Sequence, residues 1–486
     1  SLLRGCRSPE EICRFAREQS FQTVSMADIT NFYGLIRFIK AAKREGLRPV
    51  AGVHFEREGA DLFTALVLDR GGFGRACEML TRLLTAPGGA ASAQPQARVQ
   101  RPQDGLPTPS GGSEPSPRYD AVADLATNGW EGLAILSDRP EVLERLSRGP
   151  RKTCPPALFA KLAWGRPFAG LARFARDRGI PAAAVAEPVF LDDSDERLYP
   201  LLRAIDLTTT LEHVPAAERP EARHRYAPPE EIARFFSAVP EAVANAEGLV
   251  ERATCDGIIS PRFVFPSFRG MSDGEAFREL RRLCEEGAVR RYGGMRPDVR
   301  QRLDHELAII REKGFASYFL VVRDIVQQCP RTCGRGSAAS SIVSFLLGLT
   351  HVEPLHYNLF FERFLNRGRT DPPDIDVDFP WDERDRILKY VFEKYPGRSA
   401  MVANHVTLGP RSSIRDPAKA MGMAEEEIAR MVRSFRMGRI GEIPSALREP
   451  AARIRGMPRN LGTHCGGVVI TPGPTTDYTT VQASPL

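Results

Sequence analysis

The chain has 486 residues, of which 42% are hydrophobic and 26% are charged, and its formal net charge is +6. A chain of this length is expected to form more than one domain with a substantial core. No run of 18 or more apolar residues occurs, so the sequence predicts no membrane-spanning helix. The segment 1–20 is charged and lacks the apolar centre of a secretory signal, and the nine cysteines form no CxxC pair. These features predict a cytoplasmic protein.

The N-terminal segment, 1–84, alternates between helical and strand patterns. Residues 10–17 place apolar side chains at helical spacing, and residues 23–26 favour a short strand. Residues 33–42 predict a second helix, and residues 47–52 lead into another strand. This alternation is typical of repeated βα units.

A change of composition interrupts this pattern at residues 86–118. This stretch is rich in Pro, Gly, Ser and Gln and almost free of large apolar residues, so it predicts a disordered insertion. Regular patterning resumes at residues 130–136 and continues to 181–190. Two amphipathic helices are then predicted, at 271–291 and 299–312.

A glycine-rich turn follows, with the sequence Cys-Gly-Arg-Gly-Ser at 333–337. The small and then apolar residues at 338–347 predict a helix directly after it. A turn that leads into a helix N-terminus offers free N–H groups and a positive dipole end to a phosphate, while Ser337 adds a hydroxyl and Arg335 a charge. No Lys-Ser or Lys-Thr follows the second glycine, so this is not a Walker A loop. An ordinary turn is the alternative.

Three aspartates, Asp374, Asp376 and Asp378, alternate with apolar residues downstream of this turn. In a strand these carboxylates would share one face, and the apolar side chains would anchor the other face in a core. Stacked like charges favour a neutralising cation, and oxygen ligands suit Mg²⁺. The alternative is an edge strand with a solvated acidic face.

Basic residues lie on both sides of the acidic segment. Arg363 is a candidate for bidentate binding of a triphosphate, whereas Arg369 is interpreted as a surface residue. Residues 401–460 contain eleven Lys or Arg and six Asp or Glu, a balance of 11 − 6 = +5, and 425–436 is their clearest predicted helix. This balance suits a nucleic-acid backbone, with a solvated helical face as the alternative.

Five motifs in this order resemble the bacterial DNA polymerase III alpha-subunit family. They are GRGSAASSIVSFLLGL, NLFFERFLN, PPDIDVDF, RSSIRDPAKAMG and GTHCGGVVI. The variants PDIDVDFPWDERD and ANHV are similar to the error-prone, translesion paralogues. The resemblance implies an α/β multidomain protein with a distorted (β/α)₇ polymerase-and-histidinol-phosphatase (PHP) barrel, a polymerase-beta-like nucleotidyltransferase palm and an inserted helical thumb. The implied boundaries are 1–262 for the barrel, 263–406 and 463–486 for the palm, and 407–462 for the thumb.

The resemblance also implies roles for individual residues in template-directed DNA synthesis during error-prone repair. Asp374 and Asp376 would be catalytic and hold two Mg²⁺ ions, with Asp378 in support. The other implied contacts are with the incoming nucleotide, through Gly334, Arg335, Gly336, Ser337 and Arg363, and with DNA, through Arg411, Arg415 and His464. The expected partners are primer–template DNA and dNTPs, with the sliding clamp and mutasome proteins in a longer chain.

The sequence departs from the family pattern at its C-terminal end. The family's third metal-binding aspartate, on a Lys-Phe-Asp-Phe-like strand, has no counterpart, and neither do the fingers; Asp477 is a poor substitute. The chain is therefore expected to be a fragment or a truncated product that extends no primer by itself. The alternative function is that of a degenerate polymerase acting only as a DNA-binding scaffold.

The barrel's metal ligands are also altered. Active relatives hold three metals, but where they have Thr-Asp-His this chain retains Asp28 and has Ile29 in place of the histidine. Where they have Asn-Asp-Val-His, this chain has Ala-Glu-Pro-Val at residues 186–189. Glu187 therefore replaces the aspartate and Val189 replaces the histidine. His54 is interpreted as a lone structural histidine. Because Ile and Val cannot bind a metal, the barrel is expected to be structural, which argues against a third option, a barrel-borne phosphoesterase.

Overall fold

The computed structural model describes residues 2–57, 60–86, 119–149, 157–260, 263–369 and 371–483. Almost all of the predicted disordered insertion, residues 87–118, lies outside the described residues. The chain divides into two compact units. The first unit comprises Ser1–Ile259, Ala403–Thr463 and Thr476–Leu486, and the second comprises Ser260–Val402 and His464–Thr475.

A six-stranded mixed sheet forms the centre of the first unit. Its strands, in spatial as well as chain order, are β1 (Thr23–Ile29), β2 (Arg48–Arg57), β3 (Ala60–Val67), β4 (Leu133–Ser137), β5 (Leu158–Ala163) and β6 (Ala182–Val185). The β1–β2, β4–β5 and β5–β6 pairs are parallel, whereas β3 is antiparallel to both of its neighbours. The unit is thus mixed α/β, and the closed seven-stranded barrel stays a prediction.

Helices accompany these strands along the chain. They are α1 (Pro9–Glu18), α2 (Leu35–Arg44), α3 (Arg70–Thr85), α4 (Ala121–Asn128), α5 (Pro140–Ser147), α6 (Ala169–Asp177), α7 (Asp193–Asp206), α8 (Pro229–Phe235) and α9 (Pro240–Arg252). The predicted helices at 10–17 and 33–42 are confirmed as α1 and α2, and the predicted strands as β1 and β2. Helix α1 begins where it does because Ser8 and Glu11 form a capping box.

Both faces of the sheet are covered by apolar side chains. In β4, Ile135 belongs to a core cluster with residues of α2, α3 and α5, while its neighbour Ala134 belongs to another cluster with Leu249 of α9. All five β4 residues are buried. A strand covered on both faces consists of a continuous apolar run, which is why 130–136 is recognisable in the sequence.

A helical segment of the first unit follows residue 407. Its helices are α15 (Ser412–Ala420), α16 (Glu425–Arg436) and α17 (Ser445–Ile454), and the predicted helix at 425–436 is confirmed. Ile414, Ile428 and Leu447 pack these helices against one another. The segment also contacts α7, where the fully buried Asp195 accepts hydrogen bonds from Arg7 at 2.8 Å and Arg453 at 2.5 Å.

The second unit is mainly helical. It contains α10 (Asp273–Tyr292), α11 (Pro297–Lys313), α12 (Ala316–Val326), α13 (Ile342–Leu347) and α14 (Arg384–Lys394), with the short strands β7 (Cys333–Arg335) and β8 (Asp376–Asp378). The two helices predicted at 271–291 and 299–312 are confirmed as α10 and α11. One apolar cluster joins these helices, and the apolar side of the acidic segment packs on it.

A two-stranded sheet of β9 (Ser399–Thr407) and β10 (Pro458–Ile470) completes the secondary structure described here. Each of these strands contributes residues to both units. Among the described helices, none combines the length and the apolar character needed to cross a membrane.

Candidate nucleotide and metal site

The acidic segment forms the alternating pattern that the sequence predicts. Asp374, Asp376 and Asp378 are exposed. The intervening side chains, Ile375, Val377 and Phe379, pack against the core of the second unit. Only Asp376–Asp378 is a regular strand, so Asp374 lies just before β8. The burial of one side of this segment fixes which way the carboxylates point.

The glycine-rich turn and the acidic strand are hydrogen-bonded neighbours. β7 and β8 pair in the antiparallel direction, with Cys333 opposite Asp378, Gly334 opposite Val377 and Arg335 opposite Asp376. Two motifs that are well separated in the sequence therefore lie side by side. A phosphate held by the turn would lie next to the carboxylates.

Gly336 is required where the turn meets the acidic strand. Its φ is +68°, a conformation that a residue with a side chain adopts only at a cost. A Cβ at this position would also lie 3.1 Å from Oδ2 of Asp376. The missing side chain leaves space beside the Asp376 carboxylate for a ligand.

The three carboxylates do not have the same surroundings. Arg335 forms an ion pair with Asp378 at 3.2 Å, and both side chains are largely exposed. Asp378 therefore has a cation from within the protein. The predicted ligands Asp374 and Asp376 are left to face solvent.

The predicted helix at 338–347 is wrong in its first four residues, and so is the expectation of free N–H groups at its start. Residues Gly336–Ser340 form a 3₁₀ turn, and α13 begins at Ile342. The carboxylate of Glu306 on α11 accepts from the N–H groups of Ile342, at 2.9 Å, and Val343, at 3.2 Å. The small residues before α13 form a 3₁₀ turn, which is tighter than an α-helix. The N-terminus of α13 is capped by the carboxylate of Glu306 and is therefore not open to a phosphate.

Glu306 and Arg302 form a buried link that sequence reasoning missed. Arg302 donates to Glu306 at 2.7 Å, and also to the carbonyl oxygens of Ser340, at 3.0 Å, and Leu359, at 2.8 Å. Burial raises the pKa of Glu306, although its hydrogen bonds from Arg302 and the Ile342 N–H oppose this. The signal in the sequence is a glutamate on the apolar stripe of α11, between Leu303 and Ile310.

The two candidate arginines differ in their contacts. Arg363 ends a short 3₁₀ turn, Phe361–Arg363, and its side chain is exposed. This turn packs beside the Gly336–Ser340 turn. Arg369 donates to the carbonyl oxygens of Phe364 and Pro372, so it braces the loop that leads to the acidic segment. The side chain of Arg369 is half-buried, whereas the sequence predicted an exposed surface residue.

Tyr318 on α12 is a second residue that sequence reasoning missed. Its hydroxyl oxygen accepts from the N–H of Ile375 at 3.4 Å, between the first two aspartates. Burial raises the pKa of Tyr318, and the negative charges of Asp374 and Asp376 raise it further. No motif marks this tyrosine, because its position depends on how α12 packs against the acidic segment.

The predicted DNA-binding residues belong to separate elements. Arg411 precedes α15 and Arg415 lies on it, and both side chains are exposed. His464 lies on β10, where its Nδ1 accepts from the N–H groups of Gly466, at 3.2 Å, and Gly467, at 2.6 Å. The adjacent glycines leave room for this ring, since a Cβ on Gly467 would lie 2.8 Å from Nδ1.

The donor set of the acidic strand suits a hard divalent cation. Asp374 and Asp376 supply oxygen ligands, and Mg²⁺ is commonly bound by one or two carboxylates together with water and substrate phosphates. Within the described part of the chain, no three His, Cys, Asp or Glu side chains are grouped to hold a metal. Asp477 belongs to the first unit, and its carbonyl oxygen accepts a hydrogen bond from Arg70 of α3.

The altered ligand positions of the sheet in the first unit have structural contacts. Asp28 is buried, and its Oδ2 accepts from the N–H of Gly34 at 2.7 Å. The contacts of His54 agree with its interpretation as a structural histidine, since Thr64 and Glu187 both contact its ring. The expectation that the barrel holds no three-metal cluster stays a prediction.

Comparison with known proteins matches both parts of the chain. Residues 278–485 match the family model of the bacterial DNA polymerase III alpha NTPase domain, and residues 1–106 match that of the PHP domain. Error-prone DNA polymerases from Mesorhizobium japonicum and Nocardia farcinica are each 32% identical to this chain, over 97% and 99% of it. One from Mycobacterium tuberculosis is 32% identical over 99% of the chain.

The chain spans less than half the length of these relatives, namely 43%, 47% and 45% of the three proteins. The matches cover the motifs at residues 334–349, 374–379 and 462–470. The expected similarity to error-prone family members is confirmed by the names of the relatives. These matches show that the C-terminal part of the chain is similar to the bacterial DNA polymerase III alpha NTPase domain, that its N-terminal part is similar to the PHP domain, and that nearly the whole chain is similar to error-prone DNA polymerases.

Proposed function

We propose that this chain carries the nucleotide-binding and metal-binding part of the active site of an error-prone DNA-directed DNA polymerase. The observation that supports this most is the antiparallel pairing of β7 with β8, which sets the Gly-Arg-Gly-Ser turn against the carboxylates. The relatives named error-prone DNA polymerase cover the same segment. The reaction is transfer of a nucleotidyl group from a dNTP to a primer 3′ hydroxyl during repair or translesion synthesis, in which the 3′ oxygen bonds to the alpha-phosphorus and pyrophosphate leaves.

In this proposal Asp374 and Asp376 hold Mg²⁺. The metal would neutralise charge on the phosphate and on the attacking and leaving oxygens. The triphosphate is bound by Gly334, Gly336 and Ser337 of the turn and by Arg363. The exposure of both aspartates and the missing Cβ of Gly336 support this assignment.

The remaining residues position the substrate. Arg335 and Asp378 form an ion pair at the edge of the site, and Arg335 can exchange its carboxylate partner for a phosphate oxygen. Arg411, Arg415 and His464 bind the DNA backbone, which requires no reading of bases. The sheet of the first unit is assigned to a PHP barrel at 1–262, the second unit to a palm, and the segment at 407–462 to a thumb.

The partners follow from this assignment. Primer–template DNA and dNTPs are the substrates, and the sliding clamp and mutasome proteins are proposed partners of the whole protein. Cytoplasmic localisation belongs to the same proposal, since these substrates lie there in bacteria.

Binding of Mn²⁺, a spectroscopic substitute for Mg²⁺, tests the site. Titration of the full chain, followed by electron paramagnetic resonance, should show binding that Asp374→Asn and Asp376→Asn each weaken by about tenfold or more. Asp385→Asn is the matched control, since its side chain is 92% exposed on α14 of the same unit. Equal Mn²⁺ affinity in all three variants and the parent would refute the assignment.

A further inference from the structure

Four polar side chains of the first unit form a closed ring on the sheet. Nδ1 of His54 lies 2.9 Å from Oγ1 of Thr64, and Nζ of Lys161 lies 3.5 Å from the same hydroxyl. Glu187 closes the ring, with one carboxylate oxygen 3.6 Å from Nζ of Lys161 and the other 3.5 Å from Nε2 of His54. We refer to these four residues as the lysine ring.

The sheet topology brings these residues together. His54 of β2 and Thr64 of β3 are directly opposite each other in the antiparallel pair, so their side chains share a face. Lys161 lies in β5, and Glu187 follows β6, which is the parallel neighbour of β5. The four residues come from distant parts of the sequence, so no local pattern could reveal the ring.

Lys161 is the unusual member because its side chain is only 3% exposed. A buried ammonium is stable only if an anion and hydrogen-bond acceptors replace the water that it loses. Glu187 supplies the anion and Thr64 an acceptor. The carboxylate of Glu187, in turn, has a cation from within the protein.

One member of the lysine ring, Glu187, occupies a position where the sequence resemblance implies a metal ligand. Glu187 stands where active relatives have an aspartate, but Ile29 and Val189 replace the neighbouring histidines. A second histidine, His224, is close enough for the charge of Glu187 to affect it, yet its Nδ1 already accepts from the N–H of Glu221. The residues present therefore do not fit a multi-metal centre.

We infer that the ammonium of Lys161 is a built-in cation that takes the electrostatic role of a bound metal ion in this domain. A divalent cation and an ammonium repel each other when both approach one carboxylate. The lysine ring therefore excludes a metal from Glu187 and His54 and holds the sheet together in its absence. This inference is independent of the polymerase assignment, because it concerns only contacts within the first unit.

The test uses the full chain carrying Asp374→Asn and Asp376→Asn, so that the acidic strand contributes no metal binding. The melting temperature of this parent should be the same in EDTA and with Zn²⁺ or Mn²⁺. Lys161→Met should lower the melting temperature, and Zn²⁺ should restore part of the loss, because Glu187 and His54 then lack a cation. Elemental analysis should find zinc retained by Lys161→Met and not by the parent.

Arg203→Met is the matched control. Arg203 is another fully buried cation of the first unit, paired with Asp206 at 2.6 Å and Glu218 at 2.9 Å. Its loss should also lower the melting temperature, but Zn²⁺ should restore nothing.

Two results would overturn the inference. One is a parent whose melting temperature rises with Zn²⁺ or Mn²⁺ in a manner that Glu187→Gln abolishes. The other is a folded Lys161→Met variant on which zinc has no effect. If Lys161→Met does not fold, the double variant Lys161→Met with Glu187→Gln decides, because removing both charges should recover a folded protein. Failure of the double variant to fold would contradict a purely electrostatic role.

Discussion

The acidic strand of the second unit and the lysine ring of the first unit handle charge in opposite ways. In the acidic strand, Asp374 and Asp376 are exposed, and the internal cation, Arg335, pairs with Asp378. In the lysine ring, Glu187 lies between an ammonium and an imidazole, and Lys161 and Thr64 are almost completely buried. Both regions contain carboxylates at positions where the family resemblance implies metal ligands.

The difference shows which of the two regions is suited to an external ligand. Exposed like charges repel one another, and a cation from solution relieves that repulsion at little desolvation cost. A carboxylate already matched by a buried lysine gains nothing from a metal. A group of carboxylates therefore does not by itself indicate a metal site. It indicates one only where no lysine, arginine or histidine of the protein already neutralises the carboxylates.

The largest expected effect comes from a buried carboxylate in the same unit as the acidic strand. Glu306→Ala should destabilise the chain by about 3–5 kcal/mol, because it leaves Arg302 and the first N–H groups of α13 without their acceptor. Urea unfolding measures this loss. Glu312→Ala is the control, since Glu312 is an exposed residue of the same helix, paired with Arg367, and should cost less than about 1 kcal/mol.

Glu306 also sharpens the contrast with the acidic strand. A folded Glu306→Gln variant should bind Mn²⁺ with the same affinity as the parent. In the parent, the Glu306 carboxylate is already paired with Arg302 and with the first N–H groups of α13, so it is not expected to bind a metal. Loss of Mn²⁺ binding in that variant, at unchanged stability, would place Glu306 in the metal site and remove the distinction.

A smaller, pH-dependent effect is expected beside the lysine ring. Burial lowers the pKa of His224 from 6.5 to about 4, and the charges of Arg223 and Arg166 act in the same direction. The folded state therefore binds fewer protons than the unfolded state between these values. His224 should contribute stability fully above about pH 6.5 and lose it as the pH falls towards 4, by about 2 kcal/mol in total once solvent screening of this half-buried ring is allowed for.

Unfolding midpoints measured between pH 4 and pH 7 check this sign. His224→Gln should flatten the dependence, because glutamine does not titrate. His213, which is exposed and bonds to Thr210, provides a matched variant that should leave the dependence unchanged. A parent that becomes more stable as the pH falls from 6.5 to 4 would contradict the prediction.

The smallest expected effects concern exposed cations, which act on partners rather than on the fold. Arg411→Ala and Arg415→Ala should each weaken binding to primer–template DNA by about tenfold or less, independently of DNA sequence. Each should also reduce the slope of log K against log salt concentration by about one. Fluorescence anisotropy measures both quantities, and Arg278→Ala, at an exposed position on α10, is the control.

Primer extension tests the same DNA complex. The chain by itself is expected to bind DNA without extending the primer, because the acidic strand offers only Asp374 and Asp376 to hold the metal pair. Template-dependent elongation that disappears in Asp376→Ala would show that a further carboxylate has been overlooked.

The sequence by itself determined the elements and the candidate residues that depend on local pattern. The helical spacing of apolar residues in α1, α10, α11 and α16 is recognisable in the sequence. So is the alternation of acidic and apolar residues that exposes three aspartates on one side of the acidic segment. The ordered motifs also predicted the family that the comparisons support. These features depend on residues within one or two turns of each other, where side-chain spacing decides burial.

The tertiary structure decided how charges and helix ends are matched across the chain. The start of α13 was predicted four residues too early, because Glu306, 36 residues upstream, supplies the acceptor for its first N–H group. Tyr318 reaches the acidic segment from 57 residues away, and Lys161 meets Thr64 across 97 residues. A buried charge is stable only when its partner is close in space, and packing of distant elements rather than sequence spacing sets that distance.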